Sequence, residues 1–273
     1  MSRNRARTDP NSAPTSADPG ATPTAPTAEN RSDEGGDRDV AALVARLTGD
    51  EQMNRVERGK AVALLAKALA GSARLAGTGA VAGGKWLADT LIDVAPRIPV
   101  RDAATLQRQF PGLGPDDVAQ ALINGAAKAT GAVGAAGGAL AAVEFTAPPT
   151  LLTMPVQIAA ETLAVAAIEV KLVAELHEVF GQAASGTARS RGLAYLMAWG
   201  DRRGIDPRNP KAVGTTLSQA ARRQLRRRVL RRAGRNLSTM GPLLTGAVLG
   251  ASLNHRETRK LGDLLRLDLR SRR

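Results

Sequence analysis

The sequence predicts an all-α fold, and its composition and periodicity support that class. Aromatic residues make up only 2% of the 273 residues (two Trp, one Tyr and three Phe), so few of the aromatic side chains that favour strands are present. Hydrophobic residues still make up 43% of the chain, which is enough for a core. Because Ala, Gly and Leu must fill that core, close helix–helix contacts are favoured. Apolar residues also recur at helical spacing along most of the chain.

The N-terminal segment is polar. Residues 1–38 contain no Leu, Ile, Val, Phe or Trp and are rich in Pro, Ser, Thr and Asp. A segment with nothing to bury does not offset the entropy of ordering, so a disordered tail is predicted over residues 1–38. The segment also lacks the apolar stretch of a secretory signal, which favours a cytoplasmic location. One all-helical domain is expected over residues 39–273.

The first half of that domain has a pattern of short helices. Its apolar spacing is helical from Asp39 onward, and two prolines in APRIPV and a third in PGLG interrupt the pattern. The predicted helices occupy residues 39–47, 53–77, 85–94 and 101–110.

The centre of the chain is its most apolar part. Two long helices, about 118–145 and 151–180, are predicted on either side of the break TAPPT and form an apolar hairpin over 118–180. Gly181 is the predicted C-cap of the second helix. Neither helix is expected to span a membrane, because the first is mostly Gly and Ala and carries Glu144 near its end, and the second contains Glu161 and Glu169. A carboxylate near the bilayer centre costs about 2.5–3.5 kcal/mol.

Positive charge is concentrated in the predicted basic C-terminal helices, residues 185–273. Residues 1–150 carry 16 basic and 16 acidic side chains, whereas residues 185–273 carry 21 basic and five acidic ones. A helix beginning near Ala212 contains the run RRQLRRRVLRRAGR (222–235). Its eight arginines are Arg222, Arg223, Arg226, Arg227, Arg228, Arg231, Arg232 and Arg235. Like charges four residues apart each oppose the helix by about 0.2–0.5 kcal/mol, so a polyanion would stabilise it.

The surroundings of the arginine run favour a membrane surface as that polyanion. Nucleic-acid binders usually add stacking aromatics or a recognition fold, and neither is evident over residues 212–270. A short apolar segment (240–253) and further basic residues follow the run instead. This order suits an anionic lipid surface, where each basic residue contributes about 1 kcal/mol. A membrane protein complex is a related partner, and nucleic-acid binding through residues 222–235 is an alternative.

Glycines recur at helix-packing spacing. The tetrapeptide Thr-Gly-Ala-Val occurs at 78–81, 130–133 and 245–248. Each copy lies in a small-xxx-small stretch, where backbones of two helices can approach closely. The glycine pairs are Gly79 with Gly83, Gly134 with Gly138, and Gly246 with Gly250. We therefore predict a bundle of helical hairpins with glycine-lined packing faces. A soluble oligomeric scaffold that pairs through these faces is the second functional hypothesis.

No catalytic, cofactor or metal site is predicted, and the protein is expected to be non-enzymatic. The absence of cysteine excludes disulfides and thiolate sites. GAVAGGKW (79–86) has phosphate-loop spacing, but Trp86 stands where Ser or Thr would bind magnesium. His177 is close to Glu175 and Glu178 in sequence, but helical spacing does not place them on one face with a second ligand pair. His177 is therefore predicted to face solvent or an interface, and His255 to cap a helix or face solvent.

Two segments resemble the EcsC-like family of bacterial proteins. Residues 129–181 have a glycine-rich helix, a proline-containing break and a long apolar helix ending near a glycine. Residues 241–266 have the family's pattern of Pro, small residues, Asn and Thr-x-x-x-Gly in Pro242, Gly246, Gly250, Asn254, Thr258 and Gly262. The resemblance covers roughly residues 115–270. It implies an all-helical bacterial protein, associated by name with an ABC-transporter locus, and carries no catalytic residues to transfer.

Overall fold

The computed structural model describes residues 28–50, 52–83, 85–143, 153–204 and 242–272, and in these ranges it contains helices and no strand. The predicted all-α class is confirmed. A 3-10 turn (Ala95–Arg97) follows the third helix. The α-helices of the described ranges are α1 (Ala28–Gly49), α2 (Arg55–Gly83), α3 (Lys85–Val94), α4 (Ala103–Gln109), α5 (Pro115–Val143), α6 (Thr153–Val179), α7 (Ala188–Arg202) and α8 (Pro242–Ser271).

Local capping explains where several of these helices begin. Asn54 Oδ1 accepts hydrogen bonds from the backbone N–H groups of Val56 and Glu57, both at 2.9 Å. The Glu57 carboxylate accepts the Asn54 N–H at 3.0 Å in return, which completes a capping box at the start of α2. At α4, the Asp102 carboxylate accepts the N–H of Thr105 at 2.7 Å.

Helix α6 is the centre of the bundle. Every residue from 166 to 176 is buried, and α1 to α5, α7 and α8 all contact this helix. A helix that is apolar on all sides is stable only when other elements cover every face. The apolar composition of α6 is thus used to build a protein core.

The predicted central hairpin is present. Helices α5 and α6 pack together, with ends within a few residues of the predicted ones, and residues 144–152 between them lie outside the described ranges. Gly181 terminates α6 in the left-handed conformation, with φ of +71°, as predicted. The N–H of Gln182 donates to the carbonyl of His177 at 2.8 Å, and that of Gly181 to Glu178 at 3.2 Å. This is the Schellman arrangement, which glycine favours at that position.

Helix α8 packs along α5, and the two backbones touch where two glycines meet. A Cβ placed on Gly134 would lie 2.5 Å from the carbonyl oxygen of Gly250, and one on Gly250 would lie 2.5 Å from that of Gly134. One turn earlier on α5, a Cβ on Gly131 would lie 3.3 Å from the carbonyl oxygen of Ala251. Two predicted packing glycines therefore face each other. The surroundings of Gly79, Gly83, Gly138 and Gly246 lie outside what the structure describes.

Helix α1 begins earlier than the sequence indicates. Its first residue is Ala28, so residues 28–38 of the predicted tail belong to this helix. Among the side chains of α1 whose burial is described, the buried ones come later, namely Val40, Ala41, Val44, Leu47 and Thr48. Once that packed turn exists, each further helical residue adds a hydrogen bond without a new nucleation step. Residues 1–27 lie outside the described ranges.

Candidate functional site

The basic C-terminal part is attached to the bundle through a buried carboxylate, Glu169 of α6. The indole N–H of Trp199 in α7 donates to it at 2.9 Å, and the hydroxyl of Thr258 in α8 donates at 2.8 Å. The guanidinium of Arg203 forms an ion pair with the same carboxylate and donates to it through Nε at 3.1 Å. The ion pair and the hydrogen bonds together offset the cost of burying the Glu169 carboxylate.

The same polar cluster continues from α8 to α5. The hydroxyls of Thr258 and Thr130 are 2.9 Å apart, and both side chains are fully buried. The Asn254 amide donates to the Thr130 carbonyl oxygen at 3.3 Å. This cluster fixes the position of α8 along its axis, because sliding the helix would break directional bonds that apolar packing alone would tolerate.

A second buried carboxylate, Glu175, fastens the loop before α4. Arg101 contacts both carboxylate oxygens, through Nε at 2.7 Å and Nη2 at 2.6 Å, in the bidentate geometry typical of arginine. Lys171 Nζ lies 3.0 Å from the same carboxylate. Glu178 accepts the N–H of Ala103 at 3.3 Å. These acidic residues are therefore engaged by protein groups.

The solvent side of α8 combines cations with leucines. Leu264 and Leu267 are 52% and 57% exposed, whereas Leu265, which points to the opposite side of the helix, is buried. The helical period of 100° per residue places them on one arc with four exposed basic residues. This arc, called here the outer face of α8, includes Arg256, Arg259, Lys260, Leu264, Leu267 and Arg270, with one acidic residue, Asp263, among them.

Acidic side chains offset only part of this charge. Arg259 lies 4.0 Å from Asp263, and Arg270 lies 3.7 Å from Asp116. For Arg256 and Lys260, the described residues provide no acidic partner within 4 Å. The outer face of α8 thus keeps net positive charge.

Away from this arc, Asp268 is held by two arginines of the basic region. Partial burial raises the pKa of Asp268, but the ion pairs with Arg202 and Arg272 together lower it by more, so the net shift is downward. The carboxylate remains ionised near neutral pH and ties the end of α7 to α8.

A groove lies among α2, α5, α6 and α8, beside the α1–α2 corner. Its volume is about 1240 Å³. Buried apolar side chains, including Leu122, Ile168 and Leu172, form part of its wall, and charged groups such as Arg58 and Lys128 also line it. The groove is not evident from the sequence, because its residues come from five separate segments.

The histidines occupy different settings. His177 lies at the α6–α7 interface, with Nδ1 2.7 Å from the Val173 carbonyl oxygen and its ring centroid 5.7 Å from that of Tyr195. This agrees with the predicted interface position. His255 is half-buried and lines the groove instead of facing open solvent. Across the described residues, no group of three or more potential metal ligands was found.

The other predicted contact residues are not among the described ones. All eight arginines of the run 222–235, from Arg222 to Arg235, belong to the undescribed segment 205–241.

The GAVAGGKW stretch joins the end of α2 to the start of α3, so a helix and not a strand precedes it. Among the helices described here, none has the length and apolarity needed to cross a bilayer.

The buried polar cluster was missed by sequence reasoning, although its residues were conspicuous. From the sequence, Glu169 argues only against a membrane span, while Asn254 and Thr258 belong only to a family pattern. A carboxylate repeated within an apolar helix indicates buried pairing, but spacing along the chain does not name partners from three other helices.

Comparison with protein-family models, curated proteins and solved structures gave no match for this chain.

Proposed function

We propose that this protein is a non-enzymatic helical protein that binds an anionic membrane surface through its basic C-terminal part. The main observation behind this proposal is the outer face of α8. Leu264 and Leu267 expose more than half of their surface on the same face of the helix as Arg256 and Lys260. Amphipathic helices that rest on a bilayer combine basic residues for the headgroups with apolar side chains for the acyl boundary.

Charge distribution selects α8 over another helix of similar composition. The outer side of α2 also exposes Val56 and Leu64 near two lysines, Lys60 and Lys67. However, α8 directly follows a segment, residues 205–241, that holds ten basic side chains and one acidic one. The electrostatic attraction to anionic lipid is roughly additive over such residues and decays within about 10 Å at moderate salt. We therefore place the membrane contact on the C-terminal side.

A relationship to the EcsC-like family, which is itself a proposal, is compatible with membrane binding. It concerns small-residue patterns around Gly134, Gly250 and Thr258, which the structure explains as packing and buried hydrogen bonding. Membrane binding is argued from other residues, so the two ideas are independent.

Vesicle flotation tests the proposal. The protein is mixed with vesicles of phosphatidylcholine alone, or of phosphatidylcholine with phosphatidylglycerol, at several salt concentrations. We expect binding to the anionic vesicles that weakens as salt rises. Replacing Arg226, Arg227 and Arg228 by Gln removes three charges of about 1 kcal/mol each, which predicts an affinity loss on the order of a hundredfold.

Apolar contact is tested separately with Leu264→Asn/Leu267→Asn. The double variant should bind anionic vesicles more weakly, whereas Leu64→Asn, which changes an exposed leucine on α2, should bind like the wild type. Equal binding of the wild type to neutral vesicles would remove the electrostatic argument. Tight binding to duplex DNA with no binding to vesicles would establish the nucleic-acid alternative, and self-association without either would favour the oligomeric scaffold.

A further inference from the structure

The groove beside the α1–α2 corner has more positive than negative charge. Five basic and two acidic side chains line it. Lys171 and Arg101 share the carboxylate of Glu175. Arg55 and Lys128 are exposed and have no carboxylate of the described residues within salt-bridge distance. The groove therefore attracts an anion.

Arg58 adds a buried cation to this setting. It is only 2% exposed, and its guanidinium donates to the carbonyl oxygens of Leu47 at 2.7 Å and Asp50 at 3.0 Å. These neutral acceptors fix its orientation but do not cancel its charge. Burial lowers the pKa of Arg58, with an opposing effect from the charge of Asp50. A second anion near the guanidinium would offset the cost of keeping this charge buried.

The wall between the cations is apolar and includes a gap in one helix face. Leu122, Ile168 and Leu172 contribute branched side chains, and Ala126 and Ala129 contribute methyl groups. On the same face of α5, Gly125 has no side chain, and a Cβ placed on it would meet nothing within 4 Å. A purely hydrophilic anion would leave this apolar surface exposed to water.

We propose that the groove binds a fatty acid, with its carboxylate among the basic side chains and its acyl chain along the apolar wall. The volume of about 1240 Å³ is ample for a single chain, since pockets for small ligands typically measure about 300–1,000 Å³. This site is separate from the outer face of α8 and does not depend on membrane binding.

Fluorescence titration with dansyl-labelled undecanoic acid, below its micelle concentration, tests the site in the full chain. We expect saturable binding, and about tenfold or greater weakening for the methyl ester of the same probe, which keeps the chain and removes the charge. Gly125→Phe should fill the groove and weaken binding of the acid about tenfold or more. Lys128→Glu should weaken it several-fold, with a smaller effect at high salt.

Matched variants separate occupancy from folding. Gly71→Phe lies on α2, where a Cβ also meets open space, and Lys67→Glu reverses another exposed lysine; neither lines the groove. Both should bind the probe like the wild type, and circular dichroism should give similar melting curves for all four variants. Equal binding of acid and ester, or unchanged binding by Gly125→Phe, would overturn the proposal. Gly125→Phe should still float with anionic vesicles, so failure of this proposal is distinguishable from failure of membrane binding.

Discussion

Tyr195 is the chain's one tyrosine, and its buried surroundings shift its pKa. It is buried in α7, and its hydroxyl oxygen accepts the backbone N–H of Ala184 at 3.0 Å. Burial raises the pKa of Tyr195, because the phenolate would lose its hydration, while the hydrogen bond from Ala184 opposes that shift in part. The phenol form is therefore the one that the fold stabilises.

We predict that Tyr195 in the native protein ionises above its ordinary pKa of 10.0. Because the folded-state pKa exceeds the unfolded value, its stabilising contribution is complete below the unfolded pKa and is lost as pH rises through the folded one. Phenolate absorbance during alkaline titration follows this residue alone, and the chain unfolded in guanidinium chloride supplies the reference. The stability of Tyr195→Phe should fall less steeply in the same pH range. Identical midpoints for native and unfolded chains would contradict the prediction.

At the scale of elements, the α5–α8 pair shows how a core poor in aromatics is assembled. The two backbones meet at Gly134 and Gly250, and the hydroxyls of Thr130 and Thr258 bond nearby. Small residues let the helices approach, and the polar pair then specifies one register. Close approach and register therefore come from different residues of the same interface.

We predict that Gly134→Ala lowers the free energy of unfolding by about 1–3 kcal/mol, because its methyl group would push against the Gly250 carbonyl and force one helix to move. The comparison is Gly125→Ala on the same helix, where a Cβ meets open space. That variant should be about 0.4–1 kcal/mol more stable than the wild type, since alanine restricts the unfolded chain. Urea unfolding measures both. A Gly134→Ala protein as stable as Gly125→Ala would show that α5 and α8 do not touch at this point.

At the scale of the whole molecule, a bundle centred on α6 carries its excess charge near one end of the chain. The central helix is covered by the others, and its carboxylates Glu169 and Glu175 receive cations from elsewhere. Net charge of +13 and self-repulsion among the arginines oppose compaction. Buried acidic groups in the centre thus help to hold the fold, and the remaining basic charge is available for the proposed contact with an anionic partner.

We predict that deleting residues 1–27 leaves the thermal unfolding midpoint nearly unchanged, because that segment has no Leu, Ile, Val, Phe or Trp to bury. Deleting residues 1–44 is the comparison, since it also removes Val40, Ala41 and Val44, which are buried in α1. The longer deletion should lower the midpoint strongly through loss of apolar packing. Scanning calorimetry distinguishes the two, and a large effect of the shorter deletion would show that residues 1–27 pack on the bundle.

Much of the helical layout could be read from local patterns. The helix over 85–94 and the cap at Gly181 follow from prolines, glycine and periodicity, which act within a few residues. The start of α1 was misplaced, because helix propagation from a packed turn does not require apolar side chains in the first turns. Of the candidate site, the sequence reveals the positive charge and the arginine run, but neither the outer face of α8 nor the groove.

What the sequence determined by itself is therefore the all-α class, the long apolar hairpin and the asymmetry of charge. Only the tertiary structure decided that Glu169 meets Arg203, Trp199 and Thr258, that Leu264 and Leu267 stay exposed, and that five segments enclose one groove. Periodicity identifies which residues share a helix face, since that depends on one dihedral pattern. It does not identify the facing helix, because contacts between distant segments depend on how all the faces are packed together.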